Sequence, residues 1–199
     1  MKKLGILISG RGSNFEAIAR NIQAGNIHAE IGAVISNKEE AAGLAIARQM
    51  GLNALCIPSK GKEREAFERE LVAALRQHDV DLVCLAGFMR VLTPYFIREF
   101  KGRILNIHPA ILPSFPGVEA QKQALDYGAK FTGCTVHFVD EGVDTGPVVA
   151  QAVVPILDDD TVETLSARIL KEEHRTYTEA INLVLEDRIR IEGRRVLLK

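Results

Sequence analysis

The stretch that decides the fold is LGILISGRGSN, residues 4–14. A run of aliphatic side chains ends at Ser9, glycines follow at positions 10 and 12, and helical periodicity begins at Asn14. A buried strand that turns through glycines directly into a helix is typical of the first unit of an α/β sheet. The rest of the chain repeats this alternation of short apolar runs with helical segments.

Seven short apolar runs rich in β-branched residues predict strands, and six segments with apolar residues at intervals of three and four predict helices. Strands that alternate with helices favour an α/β fold with a mostly parallel, twisted sheet of about seven strands and helices on both faces. The predicted strands cover residues 4–9, 31–36, 54–57, 82–86, 104–108, 134–138 and 148–154. A small hairpin is expected after the last helix, at residues 189–198.

Length and charge limit the organisation of the chain and its partners. With 199 residues it is long enough for one compact α/β domain and too short for two full-sized domains with a linker. Its 25 basic and 26 acidic side chains nearly cancel, and neither sign forms a long block. The charge therefore offers no attraction to nucleic acid or to a membrane surface, and it favours small-molecule partners.

Targeting, membrane and metal sites are not predicted. No apolar stretch reaches the roughly 20 residues that span a bilayer, so a cytoplasmic protein is expected. The cysteines lack metal-ligand spacing and lie in predicted strands, which favours inert core thiols in a reducing compartment: Cys56, Cys84 and Cys134. No catalytic metal is expected, because metal spacing is also missing among His28, His78, His137 and His174.

The loop SGRGSN, residues 9–14, follows the first predicted strand and opens the first predicted helix. Its glycines let backbone N–H groups approach an anion at the positive end of the helix, where a phosphate would fit. The loop is not the dinucleotide fingerprint, because the third glycine is missing, and it is not a Walker loop, because no Lys-Ser or Lys-Thr follows. On these residues alone, phosphate binding and a tight structural turn both stay open.

Two polar residues, Asn106 and His108, lie near the end of a predicted strand that stops at Pro109. Period-two alternation puts them on one face at the carboxyl end, where parallel sheets bind ligands. An imidazole can take a proton from an attacking amine and a carboxamide can donate to an oxyanion, which are the needs of acyl transfer. A hydrogen-bonded pair in the core is the alternative.

Two further loops carry chemistry that fits a ligand. The acidic loop DEGVDTGP at residues 140–147 can turn a carboxylate toward His108, although such acids are often only solvated; its spacing does not match an EF-hand calcium loop. The segment LAGFMRVL at residues 85–92 mixes aromatic, thioether, aliphatic and cationic side chains, which suits a flat, partly apolar ligand with an anionic group. Core packing with one surface arginine is the alternative for this second segment.

Taken together, the motifs resemble those of the folate-dependent glycinamide ribonucleotide formyltransferases, from Leu4 to about Leu185. They are residues 9–14, AGFMR at 86–90, NIHP at 106–109, Leu112-Pro113 and residues 140–147. The resemblance implies a Rossmann-like formyltransferase fold. It also implies an enzyme of de novo purine biosynthesis that transfers the formyl group of 10-formyltetrahydrofolate to the amine of 5-phosphoribosylglycinamide, with no metal.

The resemblance also implies roles for single residues. The catalytic trio that folate-dependent formyltransferases share is matched by Asn106, His108 and Asp144. Binding of the ribonucleotide is implied for Gly12, Ser13, Asn14 and Glu173, the first three at its phosphate. Binding of the folate is implied for Arg64, Met89, Arg90, Val91 and Leu92. No role is assigned to residues 119–121, which belong to the stretch 117–121 where other members carry histidine or asparagine.

The domain is expected to span residues 1–199, with a phosphate-binding half at 1–100 and a catalytic and folate-binding half at 101–199. Three alternatives fit parts of the pattern. A transfer-RNA formyltransferase should carry a further basic carboxyl-terminal domain, and a formyltetrahydrofolate hydrolase an amino-terminal regulatory domain. A folate- or nucleotide-binding module without turnover is disfavoured by the intact trio. A monomer and a homodimer both stay open.

Overall fold

A computed structural model describes residues 1–199 as an α/β fold of nine strands and six helices. The strands are β1 (Lys2–Ile8), β2 (Ala29–Ser36), β3 (Ala54–Cys56), β4 (Leu82–Leu85), β5 (Ile104–His108), β6 (Phe131–Phe138), β7 (Val148–Pro155), β8 (Ile189–Glu192) and β9 (Arg195–Leu198). The helices are α1 (Ser13–Gln23), α2 (Ala42–Gln49), α3 (Arg64–Gln77), α4 (Pro94–Glu99), α5 (Ala120–Tyr127) and α6 (Val162–Leu185). Two compact units, Met1–Leu105 and Asn106–Lys199, divide the chain within β5.

The first unit contains a parallel sheet in the order β3-β2-β1-β4. Residues 4–8 of β1 are fully buried because neighbours cover both faces of this central strand, which explains its unbroken apolar run. In α1 and α3 the residues at three- and four-residue spacing are buried, among them Phe15, Ile18, Phe67 and Leu71. The carboxyl ends of the four strands lead into the segments that carry the predicted binding residues.

The second unit contains a mixed sheet, in which β6 pairs antiparallel with β7 and the order continues as β7-β9-β8. The predicted total of about seven strands is wrong by two, because the terminal hairpin joins the sheet: β9 pairs in parallel with β7 at Val148 and Arg195. Helix α6 packs on β6 and β7, and its residues Leu165, Ile169 and Ile181 are buried. None of the six helices is both long and apolar enough to cross a membrane.

No disulfide joins any of the three cysteines. Cys84 and Cys134 are buried in β4 and β6, whereas Cys56 lies half-buried at the end of β3, so the expectation of a core position is wrong for that residue. Burial, together with the negative charge of Glu173, raises the pKa of the Cys134 thiol to about 11. This thiol is therefore protonated and unreactive at neutral pH.

Candidate active site

The structure brings the three predicted catalytic residues together in the second unit. Asn106 and His108 alternate along β5 and point to the same side of the strand, as the period of two predicts. Asp144 comes from the loop between β6 and β7, and its Oδ2 lies 3.4 Å from Nδ1 of His108. The side chain of His108 is 5% exposed and that of Asp144 12%, so this pair is largely removed from water.

Both ring nitrogens of His108 face oxygen atoms. Nε2 lies 2.8 Å from the carbonyl oxygen of Phe115, and because a carbonyl only accepts, Nε2 carries a proton and donates. Nδ1 faces the carboxylate of Asp144. A doubly protonated ring satisfies both contacts at once, which is the form that can donate a proton.

The carboxylate of Asp144 has three partners. It accepts from the backbone N–H of Gly117 at 2.8 Å, and it lies near the rings of His108 and His137 at 3.4 and 3.6 Å. Burial on its own would raise the pKa of Asp144, but the interactions with His137, with the Gly117 N–H and with His108 outweigh it. The pKa of this carboxyl is therefore lower than its usual value, and Asp144 is negatively charged at neutral pH.

A fourth side chain, His137 of β6, belongs to this cluster and was not predicted from the sequence. Its Nδ1 lies 2.8 Å from the carbonyl oxygen of Phe138, so Nδ1 carries the proton in the neutral ring. Its Nε2 then accepts from Nδ2 of Asn106, 3.2 Å away. In this tautomer Nε2 holds the amide nitrogen of Asn106, whose second hydrogen remains for a ligand. In a doubly protonated ring Nε2 would instead donate toward Oδ1 of Asp144, 3.6 Å away.

The loop at residues 140–147 is shaped by its own hydrogen bonds, which explains its acidic and glycine-rich sequence. Oδ1 of Asp140 accepts from the Gly142 N–H at 3.1 Å and from the Thr145 hydroxyl at 2.6 Å. Any side chain at Gly146 would collide with the Phe138 carbonyl. The loop is therefore closely folded, and Asp144 adopts φ 54°, a left-handed conformation that is costly for a non-glycine residue.

The loop after His108 also contributes to the cluster, through its backbone. Phe115 supplies the carbonyl that binds His108, and Gly117 supplies the N–H that binds Asp144. Phe115 is itself left-handed, with φ 55°. A sequence pattern of side chains does not indicate such backbone contacts, which is why this loop could not be assigned from residue types.

In the first unit, the glycine loop lines a cavity of about 260 Å³ at the amino end of α1. Residues 9–14 form one side of this cavity, and Ala86, Gly87 and Met89 form another. The three predicted phosphate residues, Gly12, Ser13 and Asn14, are thus brought to one open site at the amino end of α1, where helices favour anions.

The glycine at position 12 is required for two reasons. Gly12 has φ 79°, the left-handed region, and a Cβ there would lie 2.8 Å from the Cα of Gly43 on α2. The Gly43 N–H in turn donates to the carbonyl of Gly10 at 3.1 Å. Gly43 supports the loop from behind, a role that its place within an ordinary helical pattern did not reveal.

The predicted folate residues all lie in the first unit, so the expectation of a folate-binding half at 101–199 does not match their positions. Met89 and Val91 are exposed, Leu92 is buried and Arg64 is exposed at the start of α3. The Arg90 guanidinium donates to the Ser59 hydroxyl at 3.3 Å and lies 5.4 Å from the centre of the Phe67 ring. Glu173, predicted near the ribonucleotide, is buried on α6 of the second unit.

The sequence profile described as formyl transferase matches residues 2–181. The chain belongs to the formyl transferase family. It is 51% identical to glycinamide ribonucleotide transformylase 1 from Symbiobacterium toebii, with a TM-score of 0.98 over 100% of this chain and 94% of that chain. It is 40% identical over 186 residues to phosphoribosylglycinamide formyltransferase from Bacillus subtilis (strain 168), over 93% of this chain and 95% of that protein.

A third relative of this formyl transferase is much longer. The chain is 50% identical over 187 residues to the trifunctional purine biosynthetic protein adenosine-3 from Drosophila melanogaster. The match covers 92% of this chain but 14% of that protein. The chain thus corresponds to a small part of the trifunctional relative and to nearly the full length of the bacterial proteins.

Replacing Asp144 with Asn removes a carboxyl whose pKa is lower in the folded protein than in the unfolded chain. Such a group stabilises the fold above its unfolded-state pKa, about 3.9 for Asp, and this contribution is lost as pH falls through the lowered folded-state pKa. The difference in unfolding free energy between wild type and Asp144→Asn is therefore expected to hold down to about pH 5 and to shrink below about pH 4. Urea denaturation from pH 6 downward measures it, with exposed Asp159→Asn as the control for net charge. A difference that grows on acidification would contradict the role of this carboxylate.

Proposed function

We propose that this formyl transferase moves the formyl group of 10-formyltetrahydrofolate to the amine of 5-phosphoribosylglycinamide, a step of de novo purine biosynthesis. Formyltetrahydrofolate is the co-substrate of the family. The observation that carries the proposal is the cluster of Asn106, His108 and Asp144, because it combines an amide donor, an imidazole and a carboxylate in one largely buried site. The two bacterial relatives described above carry names for the same reaction.

The cluster supports direct transfer of the formyl group. The acceptor amine attacks the formyl carbon, the carbonyl electrons move to oxygen, and a tetrahedral intermediate forms. The free N–H of Asn106 donates to that oxyanion, and His108, whose two ring nitrogens already face Phe115 and Asp144, stabilises it by charge when protonated. The bond from carbon to N10 then breaks, N10 takes a proton, the amine loses one, and tetrahydrofolate leaves. Neither a covalent enzyme intermediate nor a metal is required.

Asp144 serves this chemistry by charge and by position. Its carboxylate, 3.4 Å from Nδ1 of His108, places a negative charge beside the ring and fixes its orientation, so that the ring does not have to reorganise during the reaction. His137 has the same kind of role for Asn106, because its Nε2 holds the amide nitrogen. Each of these two partners acts on the reaction through the residue that it holds.

The choice of a phosphorylated acceptor is supported by the glycine loop. Backbone N–H groups at the amino end of α1 and the cavity beside residues 9–14 suit a phosphate, since both the partial positive charge of the helix and the glycines favour close approach of an anion. The exposed side chains of Met89 and Val91 offer apolar contact for a flat folate ring. A cytoplasmic location and a monomer or homodimer stay predictions from the sequence.

The proposed reaction is tested by mixing the protein with 10-formyl-dideazafolate and glycinamide ribonucleotide and following deformylation by absorbance. Turnover is expected to require the acceptor, and His108→Ala is expected to lower kcat by about 10²–10⁴-fold, the usual effect of losing one general acid or base. Turnover that proceeds equally without the ribonucleotide would indicate a hydrolase and contradict the proposal. Absence of turnover both with and without the ribonucleotide would also contradict the proposal.

Replacing His137 with Ala is expected to lower kcat about tenfold with little change in either KM, because the Asn106 amide loses the partner that orients it. His137→Gln should recover part of the loss, since its amide oxygen can also accept from Asn106. In the background of Asn106→Ala, removal of His137 should have little further effect. Losses that simply multiply would show that His137 does not act through Asn106.

Replacing Ser13 with Asp puts a negative charge where the phosphate should bind. The KM for glycinamide ribonucleotide is expected to rise at least about tenfold and the KM for the folate much less, because like charges repel at short range. Gln23→Glu, at the opposite end of α1, adds the same charge as a matched control. Equal increases in both KM values would count against phosphate binding at this loop.

A further inference from the structure

A ring of polar groups, three of whose side chains are buried, joins the segments that follow the four strands β1 to β4 of the first unit. The Met89 N–H donates to the Ser9 hydroxyl at 2.8 Å, and that hydroxyl donates to Oδ1 of Asn37 at 2.6 Å. Nδ2 of Asn37 donates to the Ser59 hydroxyl at 3.1 Å, which also accepts from the Arg90 guanidinium at 3.3 Å. Because Met89 and Arg90 are adjacent in the chain, these hydrogen bonds and the peptide bond between the two residues form a closed ring.

The two serines and the asparagine of the ring are buried, and Asn37 is its central member. Ser9 is 5% exposed, and Asn37 and Ser59 are each 8% exposed. Buried polar groups of this kind orient one another strongly, since leaving one unpaired is costly. Asn37 uses its oxygen toward β1 and its nitrogen toward Ser59, so no other group in the ring can take its place.

Two binding segments contact this ring, the glycine loop at residues 9–14 and the segment 89–92, and they depend on it to different degrees. The glycine loop has anchors of its own, in the bond from Gly43 N–H to the Gly10 carbonyl and in the contact of Gly12 with Gly43. The segment 89–92 is held at its far end by Glu68, which accepts from the Thr93 N–H at 2.8 Å. Its near end is held by the ring, and its exposed residues lie between these two points.

The Arg90 side chain is part of this support. Its guanidinium contacts the Ser59 hydroxyl and the face of Phe67. It therefore supports the segment from beneath and does not serve as a free cation for a ligand. The surface that the segment offers to the folate is then set by the backbone of residues 89–92 and by the exposed side chains of Met89 and Val91. The contacts that fix the backbone of residues 89–92 therefore also fix the shape of the proposed folate site.

We propose that Asn37 is a positioning residue for the folate co-substrate: through Ser9 and Ser59 it holds Met89 and Arg90 in the conformation that binds the folate. This inference rests on the proposed function, because it assumes that residues 89–92 contact the folate. Asn37 itself contacts no substrate. Its removal should affect the folate far more than the ribonucleotide, whose loop keeps its own anchors.

The test is Asn37→Ala in the full chain. Asn53→Ala is the control, because Asn53 is an exposed asparagine of the same unit whose side chain makes one hydrogen bond, to the Gly32 carbonyl. Asn37→Ala is expected to raise the KM for 10-formyl-dideazafolate about tenfold, with the KM for glycinamide ribonucleotide and kcat changed less than about threefold. Amide hydrogen exchange at Met89 should become faster in this variant and stay unchanged in the control.

A second variant keeps the test decisive if Asn37→Ala folds poorly. Ser59→Ala removes the hydroxyl that links Asn37 to Arg90, and it should raise the folate KM in the same way. The double variant should show no more than about the larger single effect, because both residues act in one chain of contacts. Equal increases in both KM values, additive effects, or unchanged exchange at Met89 would overturn the role of Asn37.

The two proposals fail in different ways. A wild-type protein without acceptor-dependent turnover contradicts the proposed function and, with it, the folate role of Asn37. A wild type with normal turnover whose folate KM is insensitive to Asn37→Ala contradicts the inference alone. Exchange at Met89 reports on the ring without any substrate and shows separately whether the ring holds the segment.

Discussion

The carboxylate of Asp144 is the contact on which the rest of the catalytic cluster depends. It lies in a site that is 12% exposed and there meets three partners: the Gly117 N–H, His108 and His137. A carboxylate that has left water must recover its lost hydration from such partners, or it takes up a proton. The lowered pKa of Asp144 indicates that these partners compensate for the hydration that the carboxylate has lost. Its charge in turn sets what the two histidines can do.

The backbone around this carboxylate is shaped to hold it. Asp144 and Phe115 both adopt left-handed conformations, each at a cost of order 1 kcal/mol or more for a non-glycine residue. In return, the loop at 140–147 brings the carboxylate to His108, and the loop after β5 brings a carbonyl to the other side of the same ring. The orientation of the imidazole is thus fixed on both sides by groups that are expensive to displace, which is the condition for preorganised catalysis.

Much of this arrangement could be predicted from the sequence because it follows from short-range rules. The strand and helix pattern indicated the fold class, with strand limits close to those observed, and the alternation along β5 put Asn106 and His108 on one face. Other parts depend on contacts between distant residues. The pairing of β9 with β7 added two strands to the sheet, and the contact of His137 with Asn106 joins residues on different strands. Neither the strand pairing nor the His137 contact is indicated by the residue types or spacing near these positions.

The ring around Asn37 illustrates the same limit more sharply. Ser9, Asn37 and Ser59 are ordinary polar residues at strand ends, where solvated side chains are expected, and only their burial shows that they bond to one another. An apolar core at these positions would hold the strands together equally well, since replacement of buried polar groups by apolar ones is often neutral for stability. It would not fix the direction of a backbone N–H or of a guanidinium. Hydrogen bonds do fix the direction of such groups. A binding segment whose side chains are exposed needs its backbone conformation fixed by the buried residues beneath it. The ring is therefore better explained by the positions of Met89 and Arg90 than by the stability of the sheet.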